Sequence, residues 1–248
     1  MSIARINLFW LIIFTLTLPV AVVLSTHLAR KSFEKVRLRG QTITVKGYAE
    51  KPITSDRAEW SASIIERNAD RTEAYRSLEK SRASLVAFLT QHGFPEEKVK
   101  LGPVGIREIY QLDDDANETN TIESYVVSQY FSIASDRVDA IAKVARESGS
   151  LIGEGIELDA SSPRYLYTKL NEKKLDMLAE ATTNARQRAE RLMGSSGTHL
   201  GPLRSASQGV FQITPAFSTR VSSSGYNDTS SLEKVIKAVV TVEYAIVE

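Results

Sequence analysis

Few side chains in this chain stand where they could do chemistry. The three histidines, His27, His92 and His199, lie far apart, and none falls in an HxH or HExxH spacing that would assemble metal ligands locally. His27 follows an apolar run, His92 ends a helical pattern and His199 sits in a turn, so each reads as a structural or solvated residue. Asp113, Asp114 and Asp115 come nearest to a cation site. A calcium loop, however, needs oxygen ligands at alternate positions, a central glycine and a distal glutamate, and LDDDANETNT lacks that spacing. Gly194-Ser195-Ser196-Gly197 follows a helical pattern and does not join a strand to a helix, so it reads as a helix-ending turn and not a nucleophile elbow. Gly149, Gly153 and Gly155 occur in the wrong order to cradle a phosphate. Arg186, Arg188 and Arg191 crowd around Glu190 and could meet an anion or an acidic partner, but near a helix C-terminus they read as a solvated face. Asn117 and Asn227 begin glycosylation sequons, which matter only in a secretory pathway.

With no cysteine, disulfides, thiolate metal sites and a thiol nucleophile are excluded. The 31 basic residues against 30 acidic ones leave no basic excess for nucleic acid. We therefore identify no catalytic, cofactor-binding or metal-binding residue from the sequence.

Any site must instead be built by the fold, and the periodicities describe one. Thr42 to Lys46 alternates as a strand, with Gly47 and Pro52 read as a turn after it. A second strand places Ala58, Trp60, Ala62 and Ile64 on one face and Glu59, Ser61 and Ser63 on the other. The period then lengthens: Ala74, Leu78, Ser81, Leu85, Phe88 and Leu89 form a helical stripe that starts at Asp70 and stops at Gly93 and Pro95. Residues 98–111 resume as a strand, and Gly102-Pro103 and Gly105 predict a bulge or an edge position. After the aspartate loop, Tyr125, Val127, Phe131 and Ile133 alternate, with Gln129 out of pattern.

A short helix over 136–148, stopped at Gly149, and strand segments around Ile156, Leu158, Tyr165 and Tyr167 follow. The longest helix is expected over 168–193, with a stripe of Leu170, Leu178, Ala181, Ala185, Ala189 and Leu192. Alanine is shallow, so this stripe needs a closely packed neighbour. Residues 203–213 and 235–247 read as closing strands, and the Ser-rich stretch between them (214–231) as a mobile hairpin tip, with a specific binding loop as the alternative. Antiparallel and mixed sheets on two long helices and one short helix define an α+β class.

Ahead of this lies Leu8 to Leu24, seventeen residues without a charge. At ~1.5 Å per residue such a run covers most of a hydrocarbon core roughly 30 Å thick. Its best cleavage site, Val23-Leu24-Ser25, is a poor A-x-A match, so it reads as an uncleaved signal anchor, the membrane being the partner it implies, with a cleaved signal peptide as the alternative. The expected organisation is thus an anchor over 1–29, a basic tether over 30–40 and an α+β domain over 41–248. Arg30, Lys31, Lys35, Arg37 and Arg39 follow the span and only Arg5 precedes it, so the positive-inside count taken alone places the body in the cytoplasm.

Four blocks carry a resemblance: ITVKGYAEKPITSDRAEWSASI, AYRSLEKSRASLVAFLTQHGFPEEKVK, AEATTNARQRAERLMGSSGTHLGPL and VIKAVVTVEYAIV. In order and spacing they resemble the SIMPL-domain family, which includes bacterial periplasmic immunogenic proteins and a protein of oxidative-stress defence. Ser55 stands where that family usually has proline. The resemblance implies an exported body, against the charge count, and a homo-oligomer that acts by self-assembly or partner binding, in the setting of stress tolerance. It brings no catalytic residues. A small-ligand or lipid-binding module, or an enzyme whose residues converge only in three dimensions, stands as the alternative.

Overall fold

The computed structural model describes residues 25–26, 41–195, 197–219 and 222–247. The expected anchor over 8–24 and tether over 30–40 lie outside them. Among the described residues no helix is long and apolar enough to cross a membrane. Two long helices, α1 (Arg71–Gln91) and α4 (Leu170–Gly194), accompany the short α2 (Val138–Glu147) and the one-turn α3 (Gly149–Gly153). Strands β1 (Thr42–Thr54), β10 (Glu233–Val247), β8 (Gln212–Pro215) and β9 (Tyr226–Asn227) follow one another in one sheet, where β7 (His199–Gln208) also pairs with β10. A second sheet has the order β3 (Lys100–Leu112), β4 (Glu118–Ser135), β2 (Arg57–Asn68), β5 (Glu157–Ala160), with β6 (Arg164–Leu166) also on β2. The pairs within the second sheet are antiparallel, whereas β8 and β9 run parallel, so the protein is α+β with antiparallel and mixed sheets.

The chain forms two compact units, and β1 and β10 give residues to each. One comprises 50–175 and 210–237. Its core is the face of β2 and β4 that meets α1 and α2: Trp60, Ile64, Phe131 and Ile133 pack with Leu78, Leu85, Leu89, Ile141 and Val144. Each large side chain buried there stabilises the unit by roughly 1.5–3 kcal/mol. Helix α1 starts where Asp70 accepts hydrogen bonds from the amides of Thr72 (2.7 Å) and Glu73 (3.0 Å), as the sequence predicts. It ends before Gly93, whose φ of +80° needs a residue without a side chain. Gln129 is buried because it fills the β3 bulge: its side-chain amide donates to the Gly102 carbonyl at 2.9 Å, and the strand register shifts there between Leu101 and Val104.

The other unit comprises, among the described residues, 41–49, 176–209 and 238–247. Here the sequence reading needs correction. Gly47 makes no turn; β1 runs through both Gly47 and Pro52. A Cβ on Gly47 would lie 1.9 Å from the Ala181 carbonyl oxygen and 2.6 Å from the Ala185 Cβ, so the glycine lets α4 lie directly on the strand. The buried stripe of α4 is Met177, Ala181, Ala185, Ala189 and Met193, a steady four-residue step; Leu192 points to solvent.

Two further boundaries move. The short helix starts at Val138, not at 136, and ends at Glu147, short of Gly149 as expected, but Gly149 then opens α3. Residues 203–213 are not one strand: β7 and β8 pair with different stretches of β10. The Ser-rich stretch is likewise no hairpin tip, because β9 returns alongside β8 and the Thr229 carbonyl accepts from the Tyr165 amide at 2.7 Å.

Candidate functional site

Strand β3 lies at the end of its sheet and, among the described residues, pairs only with β4. Strand β2 stops covering β4 at the Asn68–Tyr125 pair. Beyond it β3 and β4 continue as a two-stranded arm through the pairs Ile109–Ser124, Tyr110–Ile122 and Leu112–Glu118. Such a hairpin is marginal in water without a further strand or cover. Its turn is built by Asp113, whose Oδ1 accepts from the amides of Asn117 (2.9 Å) and Asp115 (3.0 Å). The hydrogen bond from the Asn117 amide is the main reason that the Asp113 carboxyl is held below its usual range. Asp113 is thus occupied as a turn former. Ala116 completes the turn at φ +63°.

The free edge of β3 exposes Leu101, Ile106 and Leu112, with Tyr130 on β4. A thirteen-residue strand whose outer side pairs with no other strand among the described residues, and which carries exposed aliphatic side chains, is a template for another strand. Edge strands are usually blunted by charge or proline. Here Pro103 removes one donor and Lys100, Arg107 and Glu108 supply charge, while the stretch from Val104 to Ile106 remains uncharged.

The histidines separate. His199 opens β7 opposite Val247 and is exposed, and His27 lies outside the described residues. His92 lies at the end of α1 in a cleft of about 550 Å³ lined by Phe88, Gln91, Glu147, Ser150 and Glu154 among others. Its Nδ1 is 2.8 Å from the Phe88 carbonyl oxygen and its Nε2 is 2.8 Å from Glu147 Oε2. Both partners are oxygen acceptors, so each ring nitrogen is engaged within the protein. The bond from His92 is also what chiefly draws the Glu147 carboxyl below its usual range. The pair is better described as a tie from the C-terminus of α1 to the end of α2. It joins residues 55 positions apart, and no local spacing announces it.

The remaining candidates serve the scaffold. Arg186 pairs with Glu190 at 2.9 Å and Arg188 donates to the Lys46 carbonyl at 3.1 Å. Ser195 Oγ caps the Leu192 carbonyl at 2.9 Å, within the expected turn. The Asn117 side-chain amide donates to the Asp113 carboxylate.

A buried ammonium was missed in the sequence. Lys234 is 2% exposed, and its Nζ donates to the carbonyls of Tyr165 and Asp228. Burial lowers its pKa, with Asp228 opposing. Asp228 is itself buried; burial raises its carboxyl, but the bonds donated by Ser230 and Ser231 together outweigh that and leave it low. The signal was present, because Lys234 continues the period-2 face of Ile236 and Ala238.

The comparisons agree with the resemblance. Residues 43–244 match the model of the SIMPL family, described as a protein of unknown function (DUF541). The chain belongs to the SIMPL family. No curated protein is significantly similar to this SIMPL chain. Among solved structures, a crystal structure of a hydrolase from Listeria innocua aligns with 79% of this chain and 91% of its own at 10% identity, with a TM-score of 0.20. A likeness that slight carries no argument about fold or activity.

Proposed function

We propose that this SIMPL protein is a non-enzymatic, membrane-anchored component of the cell envelope that works by joining β-strand edges, between its own copies or with a partner strand. The observation that carries the reading is the β3–β4 arm, with its long open edge and the exposed Leu101, Ile106 and Leu112. Strand addition would pair the open backbone groups and cover these side chains at once, the two things the arm lacks alone. The uncharged run Leu8–Leu24 supports anchoring, with the body outside the inner membrane and stress tolerance as the setting. Tethered copies share a surface, which raises their effective concentration and favours a weak edge contact.

The absence of native cysteine makes a direct test simple. A single thiol introduced by Ile106→Cys should give a disulfide-linked dimer under mild oxidation in cell envelopes. A thiol placed by Lys143→Cys on the exposed face of α2 should give none. Equal crosslinking at both positions, or none at Ile106, would reject the edge as the contact.

A further inference from the structure

The face of β2 and β4 turned away from the α1-packed core carries short hydroxyl side chains flanked by long polar ones. The strand register sets Lys100 beside Ser132, Ser132 beside Ser61, and Ser161 beyond Ser61. The next row sets Ala134 beside Glu59 and Glu59 beside Arg164. Small residues in the middle and large ones at the rims leave a trough of about 120 Å³ that Lys100, Tyr130, Glu59 and Arg164 also line.

The hydrogen-bonding character of this trough is specific. Ser161 Oγ donates its proton to the Ser61 carbonyl at 2.9 Å, so in the 2.8 Å contact between the two hydroxyls Ser61 is the donor. Both hydroxyl protons are spent internally, and these serines offer only lone pairs to a ligand. The Glu59 carboxylate is another acceptor. Lys100 supplies donors from one rim and has no ion pair among the described residues, while Arg164, 3.5 Å from Glu59, supplies donors from the other. A ligand must therefore donate and accept within one small volume. A phosphate or sulfate group accepts well but meets acceptors on the floor. A polyhydroxylated ring does both. Tyr130 is half-exposed at the rim, and the face of an aromatic ring is electron-rich toward the weakly positive C–H groups of such a ring. The space, about 120 Å³, takes one face of a single ring and not a chain of them.

We propose that this trough is a saccharide subsite that holds a single sugar ring, with Tyr130 stacking on it, Lys100 and Arg164 donating, and Glu59, Ser61 and Ser161 accepting. It needs no second copy, although Lys100 lies at the start of β3 and Tyr130 on the neighbouring β4.

The test is saturation-transfer NMR on the full chain in a detergent without a sugar headgroup, with glucose, N-acetylglucosamine and glucuronate as probes and inorganic phosphate as a competitor. At least one sugar should receive saturation at its ring protons, and phosphate should not displace it. Affinity should fall about fivefold or more in Tyr130→Ala, the scale of one lost stacking contact. Ser132→Val, which fills the floor with a residue suited to a strand, should abolish the signal without lowering the thermal midpoint. Should Tyr130→Ala not fold, Ser132→Val decides alone. No transfer to any of the three sugars, transfer that survives Ser132→Val, or displacement by phosphate would overturn the proposal.

Discussion

Gly47 has no room for a methyl group, because its Cβ position is occupied by the backbone oxygen of Ala181. Gly47→Ala must push α4 off β1, and overpacking of this kind costs about 1–3 kcal/mol. Urea denaturation should show that loss with an unchanged slope. Lys234 makes a second residue-scale prediction. Lys234→Met removes an ammonium whose burial is unfavourable but leaves the Tyr165 and Asp228 carbonyls without their donor. Unpaired buried groups cost about 1–3 kcal/mol each, so the variant should be less stable than the native chain despite its greater hydrophobicity.

Asp228 gives a pH signature. Its folded pKa lies below the unfolded one, so its contribution is complete above the unfolded value and is lost as pH falls through the folded value. Asp228→Asn should therefore lower the urea midpoint at neutral pH, and the gap to the native chain should narrow on acidification. A gap that widened in acid would contradict the assignment.

At the scale of elements, β3 matters most. Ile106→Lys places a charge on the open edge, the device by which edge strands are ordinarily protected, and should weaken association while leaving the fold intact. Far-UV circular dichroism would check the fold. The elements show how much of the molecule was legible in the sequence. The alternation of Ala58, Trp60, Ala62 and Ile64 and the stripe of Ala74, Leu78, Leu85 and Leu89 were read correctly, since burial on one face imposes a period that any sequence must show.

Gly47 was misread as a turn because a glycine that permits close approach looks the same, in one dimension, as a glycine that bends the chain. Leu192 and Met193 are adjacent apolar residues, and only the exact direction of the neighbouring strand decides which is buried. The β3 edge was legible from Gly102-Pro103, since proline lacks the donor that a central strand requires. The trough was half legible: Glu59, Ser61 and Ser63 were assigned to the outer face of β2. Their neighbours Lys100, Ser132 and Arg164 come from three other strands, and only strand register brings them in.

For the whole molecule, the proposal joins a tethered body to an open sheet edge. If residues 8–24 hold the chain in the inner membrane with its body outside, protease added to intact spheroplasts should digest residues 41–248 and leave a cytoplasmic marker untouched. Protection of the body until the membrane is lysed would place it inside and favour the charge count of Arg30 to Arg39 over the export that we propose.

Self-assembly through the β3 edge is the central claim, and light scattering on residues 40–248 over a wide concentration range tests it most directly. The account predicts a mass that climbs beyond one copy as concentration rises, and an Ile106→Lys variant that stays at one copy throughout. A native fragment that remains a single copy at every concentration, or a variant that assembles equally well, would contradict it.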